Sequence, residues 1–150
     1  MTRLVPRPEY NDTMEKNEVD LEVNVGNLPE ALSALPRDTS TWESALADDL
    51  NRQHKAEQEL NLTRAKAALA IRTDPLSFGF PKLTEDLVKT IVEVQPAVIA
   101  AENALIDAKC AVNNTRAIVN ALDAKRSACK YLTELVIRGF TNATGTGKGA

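Results

Sequence analysis

Five basic residues bracket one short loop, and two of the three phenylalanines of the chain sit inside it. Arg64, Lys66 and Arg72 precede the stretch Thr73-Asp74-Pro75-Leu76-Ser77-Phe78-Gly79-Phe80-Pro81, and Lys82 and Lys89 follow it. Cations spaced in this way can track a phosphate backbone, and exposed rings can stack on unpaired bases. Together they are the ingredients of sequence-independent binding to a single nucleic-acid strand. The same residues admit a structural use. Basic side chains beside a helical seam pair with acids of a neighbouring helix, and Phe-Gly-Phe can pin a loop to a core. A second basic group, Lys109, Arg116, Lys125, Arg126, Lys130 and Arg138, lies downstream with only Asp123 and Glu134 interspersed.

Other chemistry finds less support. His54, the single histidine, lies in the polar stretch Asn51-Arg52-Gln53-His54-Lys55 with no serine or cysteine arranged beside it as a nucleophile. A catalytic triad needs three converging groups. Glu85 and Asp86 could ligate Mg²⁺, but acids in the first turn of a helix are explained by its dipole alone. The tail Gly145-Thr146-Gly147-Lys148-Gly149-Ala150 has Asn142 where a phosphate loop needs its first glycine and Gly149 where it needs Ser or Thr. Cys110 and Cys129 fall in one expected helix, about 28 Å apart at ~1.5 Å per residue, so they cannot bridge within it. Both read as small buried apolar residues. No enzyme, metal site or cofactor is expected.

Proline and glycine mark out the elements that must position these residues. Pro6, Pro8, Gly26, Pro29 and Pro36 crowd the start, and residues 1–38 read as a mostly irregular acidic arm. Leu21, Val23 and Val25 alternate with polar neighbours and permit one short extended segment; Leu28 to Leu35 permit a turn or two of helix. Residues 39–140 read as a helical domain and 141–150 as a flexible Gly-rich tail. The first long helix is expected to start near Trp42, with Ser40 or Thr41 as its N-cap. Leu46, Leu50, Leu60, Ala67 and Ile71 form its apolar stripe. Thr84 should cap a short helix, and Pro96 should kink or restart the chain into a helix over Ala97–Arg138.

That last helix carries heptad spacing. Val98, Leu105, Val112 and Val119 recur every seven residues, and Ala101, Ala108, Thr115, Leu122, Cys129 and Val136 form a second row. The expectation is an all-α fold: a long antiparallel helical hairpin with an additional short helix and an irregular N-terminal arm. A lone hairpin leaves much apolar surface wet, so a homo-oligomer is expected through Val98, Leu105, Val112, Val119 and Leu122.

Composition narrows the class further. The 150 residues fit one domain, and 4% aromatic content argues against a thick aromatic core. With 21 alanines, closely packed helices are favoured over a β-sandwich. No apolar run reaches the ~18 residues of a membrane span, and the N-terminus lacks the apolar stretch of a signal peptide. A cytoplasmic protein with no membrane partner is therefore expected. The net charge of −3 divides unequally: residues 1–61 balance to −7 and residues 62–150 to +4. An acidic arm joined to a basic body suits a protein with a basic working surface.

Against this background the run from Lys55 to Phe140 resembles the UvsY-type recombination mediators of tailed phages. The match lies in the order of several stretches. Arg64-Ala65-Lys66-Ala67-Ala68-Leu69-Ala70-Ile71-Arg72 comes first, followed by the Asp-Pro loop closing on Gly79 and by Lys82-Leu83-Thr84-Glu85. Ala101-Glu102-Asn103-Ala104-Leu105-Ile106-Asp107-Ala108-Lys109, Ala121–Lys130 and Arg138-Gly139-Phe140 continue it. The resemblance implies a small helical protein of the host cytoplasm that assembles into a ring-like oligomer. It would bind single-stranded DNA, displace single-strand-binding protein and load a phage recombinase. Arg64, Lys66 and Arg72 become the leading DNA contacts, with Phe78, Phe80, Lys82 and Lys89 beside them. The competing expectation is a non-enzymatic structural or scaffolding protein of a phage virion, in which the same helices only build contacts.

Overall fold

In the computed structural model, Leu4–Val5 and residues 19–139 are described. The Gly-rich tail 141–150 and residues 1–3 and 6–18 of the arm expected over 1–38 lie outside the described residues. Two-residue strands β1 (Leu4–Val5) and β2 (Val19–Asp20) pair antiparallel, Leu4 opposite Asp20 and Val5 opposite Val19. The rest is helical: α1 (Leu28–Thr73), α2 (Glu85–Glu93) and α3 (Pro96–Ile137), with a 3-10 turn over Pro75–Phe78. The long α1 packs against the long α3, with the short α2 beside them, as the hairpin expectation has it.

The first helix begins at Leu28, some four turns ahead of Trp42, and Pro36 lies inside it. Proline in a helix interior costs about 3 kcal/mol through its missing N–H and its ring. Here packing outweighs that cost. Leu28, Ala31, Leu35, Trp42 and Ala45 are all buried, and they follow steps of three, four, seven and three residues along one face. Pro36 and Leu32, whose carbonyl would have received the missing bond, are exposed. Pro29, at the second position, occupies a site where its missing N–H costs nothing. Asn27 opens the helix by accepting from Ala31 N–H at 2.9 Å, and the Asn24 side chain accepts from Gly26 and Asn27 N–H ahead of it.

The chain forms two compact units, Met1–Leu46 with Asn114–Ala150, and Ala47–Asn113. This differs from the division expected at residue 38, because α1 runs unbroken through that point. In the first unit Leu28 and Ala31 cluster with Cys129, while Leu35, Trp42 and Ala45 cluster with Ile118 and Leu122. Rising numbers on α1 meet falling numbers on α3, so the helices are antiparallel. In the second unit Leu60 and Ile71 of α1, Val88, Ile91 and Val92 of α2, and Val98 of α3 share one core.

Pro36→Ala restores one helical hydrogen bond on an exposed face. It should stabilise the protein by about 2 kcal/mol in urea unfolding, less the fraction returned by a freer unfolded chain. Trp42→Ala should cost about 3–5 kcal/mol, as for other large core truncations.

Candidate nucleic-acid interface

The loop between α1 and α2 is built by its own sequence. Asp74 caps the 3-10 turn, its Oδ1 accepting from Ser77 N–H at 3.4 Å and its carbonyl from the Ser77 hydroxyl at 2.9 Å. Pro75 starts the turn, and Gly79 ends it at φ +83°, a left-handed conformation that glycine adopts without strain. Phe80 N–H closes back on Pro75 C=O at 3.2 Å. Thr84 then caps α2, accepting from Leu87 N–H at 3.3 Å, with Glu85 and Asp86 in the first turn.

Both loop rings point to the protein. Phe78 and Phe80 are half-buried and pack on the Leu60–Ile71–Val88 core with Leu83 and Leu87. They anchor the loop on that core. The exposed apolar residue of this loop is Leu76, at 74%.

The cations divide into two groups. Arg64 Nη2 donates to Glu93 Oε2 at 3.0 Å and to Glu102 Oε1 at 2.5 Å, so one guanidinium ties α1 to both α2 and α3. Its Nε also lies 3.0 Å from Glu93 Oε1, close enough for ion pairing although the N–H is not aimed as a hydrogen bond. The hydrogen bond from Arg64, reinforced by its charge and opposed by partial burial, holds the Glu93 carboxyl below its ordinary value. Arg72 donates to Glu85 at 2.8 Å, joining the end of α1 to the start of α2. Lys66, Lys82 and Lys89 are exposed and form no ion pair with any described residue.

Over residues 64–102 five bases meet five acids, so the region is neutral overall; its free positive charge is confined to the three lysines. The sequence alone did not show this. The acids that neutralise Arg64 lie 29 and 38 residues away along the chain.

The expected oligomer row lies elsewhere than on the surface. Val98, Val112 and Leu122 are at most 2% exposed within one chain, and Leu105 and Val119 are half-buried. These residues form the hairpin's own core, because α1 supplies the partner stripe that the expectation assigned to a second copy. Cys129 is buried as expected, whereas Cys110 is exposed. His54 is exposed, its Nε2 3.0 Å from Gln58 Nε2. No set of three or more His, Cys, Asp or Glu among the described residues is arranged to hold a metal ion. No helix among them is long and apolar enough to cross a membrane.

Comparison with protein-family models, curated proteins and solved structures finds no match.

Replacing Arg64 by Met leaves two acids facing each other without their cation. The melting temperature at pH 7 should fall by a few degrees. A carboxylate held below its ordinary value stabilises the fold above that value, and the effect fades as the pH falls through the lowered one. The gap between wild type and Arg64→Met should therefore narrow in thermal melts as the pH drops below about 4.

Proposed function

We propose that this chain is a non-catalytic helical protein that binds single-stranded DNA in the manner of a recombination mediator, with Lys66, Lys82 and Lys89 as its phosphate contacts. The observation carrying this reading is that these three lysines, set around a capped loop, are exposed and form no ion pair with any described residue. The resemblance of the surrounding stretches to the phage mediators supplies the rest. Arg64 and Arg72 act as the frame, clamping α1 to α2 and α3 so that the lysines keep their spacing. Phe78 and Phe80 fix the loop from beneath. Recognition is electrostatic and indifferent to base identity.

Three phosphate contacts per chain make weak binding. A tight complex then requires several chains on one strand, because linked sites act at high effective concentration. Surfaces for such assembly exist outside the core: Leu62 and Leu69 on α1 are 48% and 66% exposed, and Ile99 and Ile106 on α3 are 44% and 57% exposed. Each pair is spaced by seven residues, which places both members on one face of their helix. These stripes also favour a second reading, a structural protein that works by protein contacts alone. It would assemble through the stripes and ignore DNA.

Fluorescence anisotropy with labelled oligo-dT across a salt series separates the two. Three contacts predict a log–log slope of about −2 per chain, from ~0.7 per neutralised phosphate of a single strand. The triple change Lys66→Ala/Lys82→Ala/Lys89→Ala should abolish binding while leaving the circular dichroism unchanged. Arg64→Met should weaken it only as far as the fold loosens. A wild-type protein that sediments as an oligomer yet shows no binding at low salt would favour the structural reading.

A further inference from the structure

We propose that the extended segment Val19–Val23 is a releasable strap over the core of the first unit, latched by the buried side chain of Lys125. The heptad row that carries Val98 and Val112 does not continue through Val119. Two successive three-residue steps, Val112 to Thr115 to Ile118, move the buried line by one position, and it then runs through Ile118, Lys125 and Leu132. This displaced row follows the strap. Val19 is 2% exposed and clusters with Ile118, Leu122 and Trp42; Leu21 packs on the same cluster; Val23, like Leu132, packs on the cluster of Leu28, Ala31 and Cys129.

Lys125 stands between these two apolar contacts. It is 5% exposed, and its ammonium donates to the backbone carbonyl of Asp20, its one polar partner among the described residues. A cation inside an apolar seam is tolerated only with an acceptor, and here the strap supplies it. The dependence runs both ways: the strap is registered by the lysine, and the lysine is satisfied by the strap.

Two features make the strap separable from the helices it covers. The turn that follows it is held by its own bonds, with Asn24 N–H donating to Asn27 Oδ1 at 2.6 Å and the Asn24 side chain capping Gly26 and Asn27, and it meets the strap through Asn27 Nδ2, which donates to the Glu22 carbonyl at 3.2 Å. The start of α1 therefore keeps its cap when the strap leaves. In the open state the Lys125 ammonium finds water in place of the Asp20 carbonyl, so opening does not leave a buried charge without an acceptor. Opening uncovers Trp42, the single tryptophan, so the protein carries its own reporter.

The test combines hydrogen exchange with acrylamide quenching of Trp42 in the full-length protein. In wild type, amides of residues 21–23 should exchange at least about tenfold faster than those of residues 118–129, as expected for a unit that opens ahead of global unfolding. Lys125→Ala should raise both strap exchange and Trp42 quenching while helix amides keep their protection. Lys125→Arg, which keeps a donor, should return both towards wild type. Strap and helix amides exchanging in step in the wild type would overturn the proposal. So would Lys125→Ala leaving the strap and Trp42 unchanged, or loosening α3 equally.

Discussion

An apolar seam shared by two antiparallel helices is the constraint on which everything else in this protein rests. Burial in steps of three and four residues keeps one face of a helix against its neighbour over many turns. On α1 this face starts at Leu28 and reaches Ile71; on α3 it starts at Val98 and reaches Cys129. Because each buried side chain contributes on the order of 1.5–3 kcal/mol, the sum carries α1 through a proline that would end an isolated helix. It also buries Val98, Val112 and Leu122 of α3 within the chain itself.

The seam also decides which charges remain free. By bringing α2 and α3 against the end of α1, it places Glu93 and Glu102 beside Arg64 and Glu85 beside Arg72. Two arginines that look available in the chain thereby become cross-braces. Exposed ion pairs of this kind add little stability individually, yet a guanidinium shared between two helices fixes their register. Around the loop, Lys66, Lys82 and Lys89 stay exposed and form no ion pair with any described residue. Lys125 is the opposite case, a cation drawn into the core by a seam that shifts one position and by a carbonyl waiting there.

Much of this was legible in the residues. Thr84 as a cap, acids in the first turn of α2, Pro96 as the start of a 42-residue helix and the antiparallel hairpin all follow from local rules. The loop was legible too, since Asp-Pro and Gly79 are turn residues with fixed geometry. The start of α1 is not legible locally, because two prolines weigh against a helix there while the packing that overrides them is long-range. The candidate site was legible as a set of positions and charges, but its partners were not. Phe78 and Phe80 could stack outward or pack inward, and their core neighbours Leu60 and Val88 lie on two different helices.

By itself, the sequence determined what depends on neighbours within a few residues: the helical class, the caps, the capped loop and the cations placed around it. Its local turn energies and heptad spacing suffice for these. Only the tertiary structure decided which cations stay exposed, which rings face the core, which heptad row is consumed within the chain and why a lysine is buried at position 125. Each of those outcomes is set by groups dozens of residues apart, brought together when α1 and α3 pack, and no local pattern encodes which of them will meet.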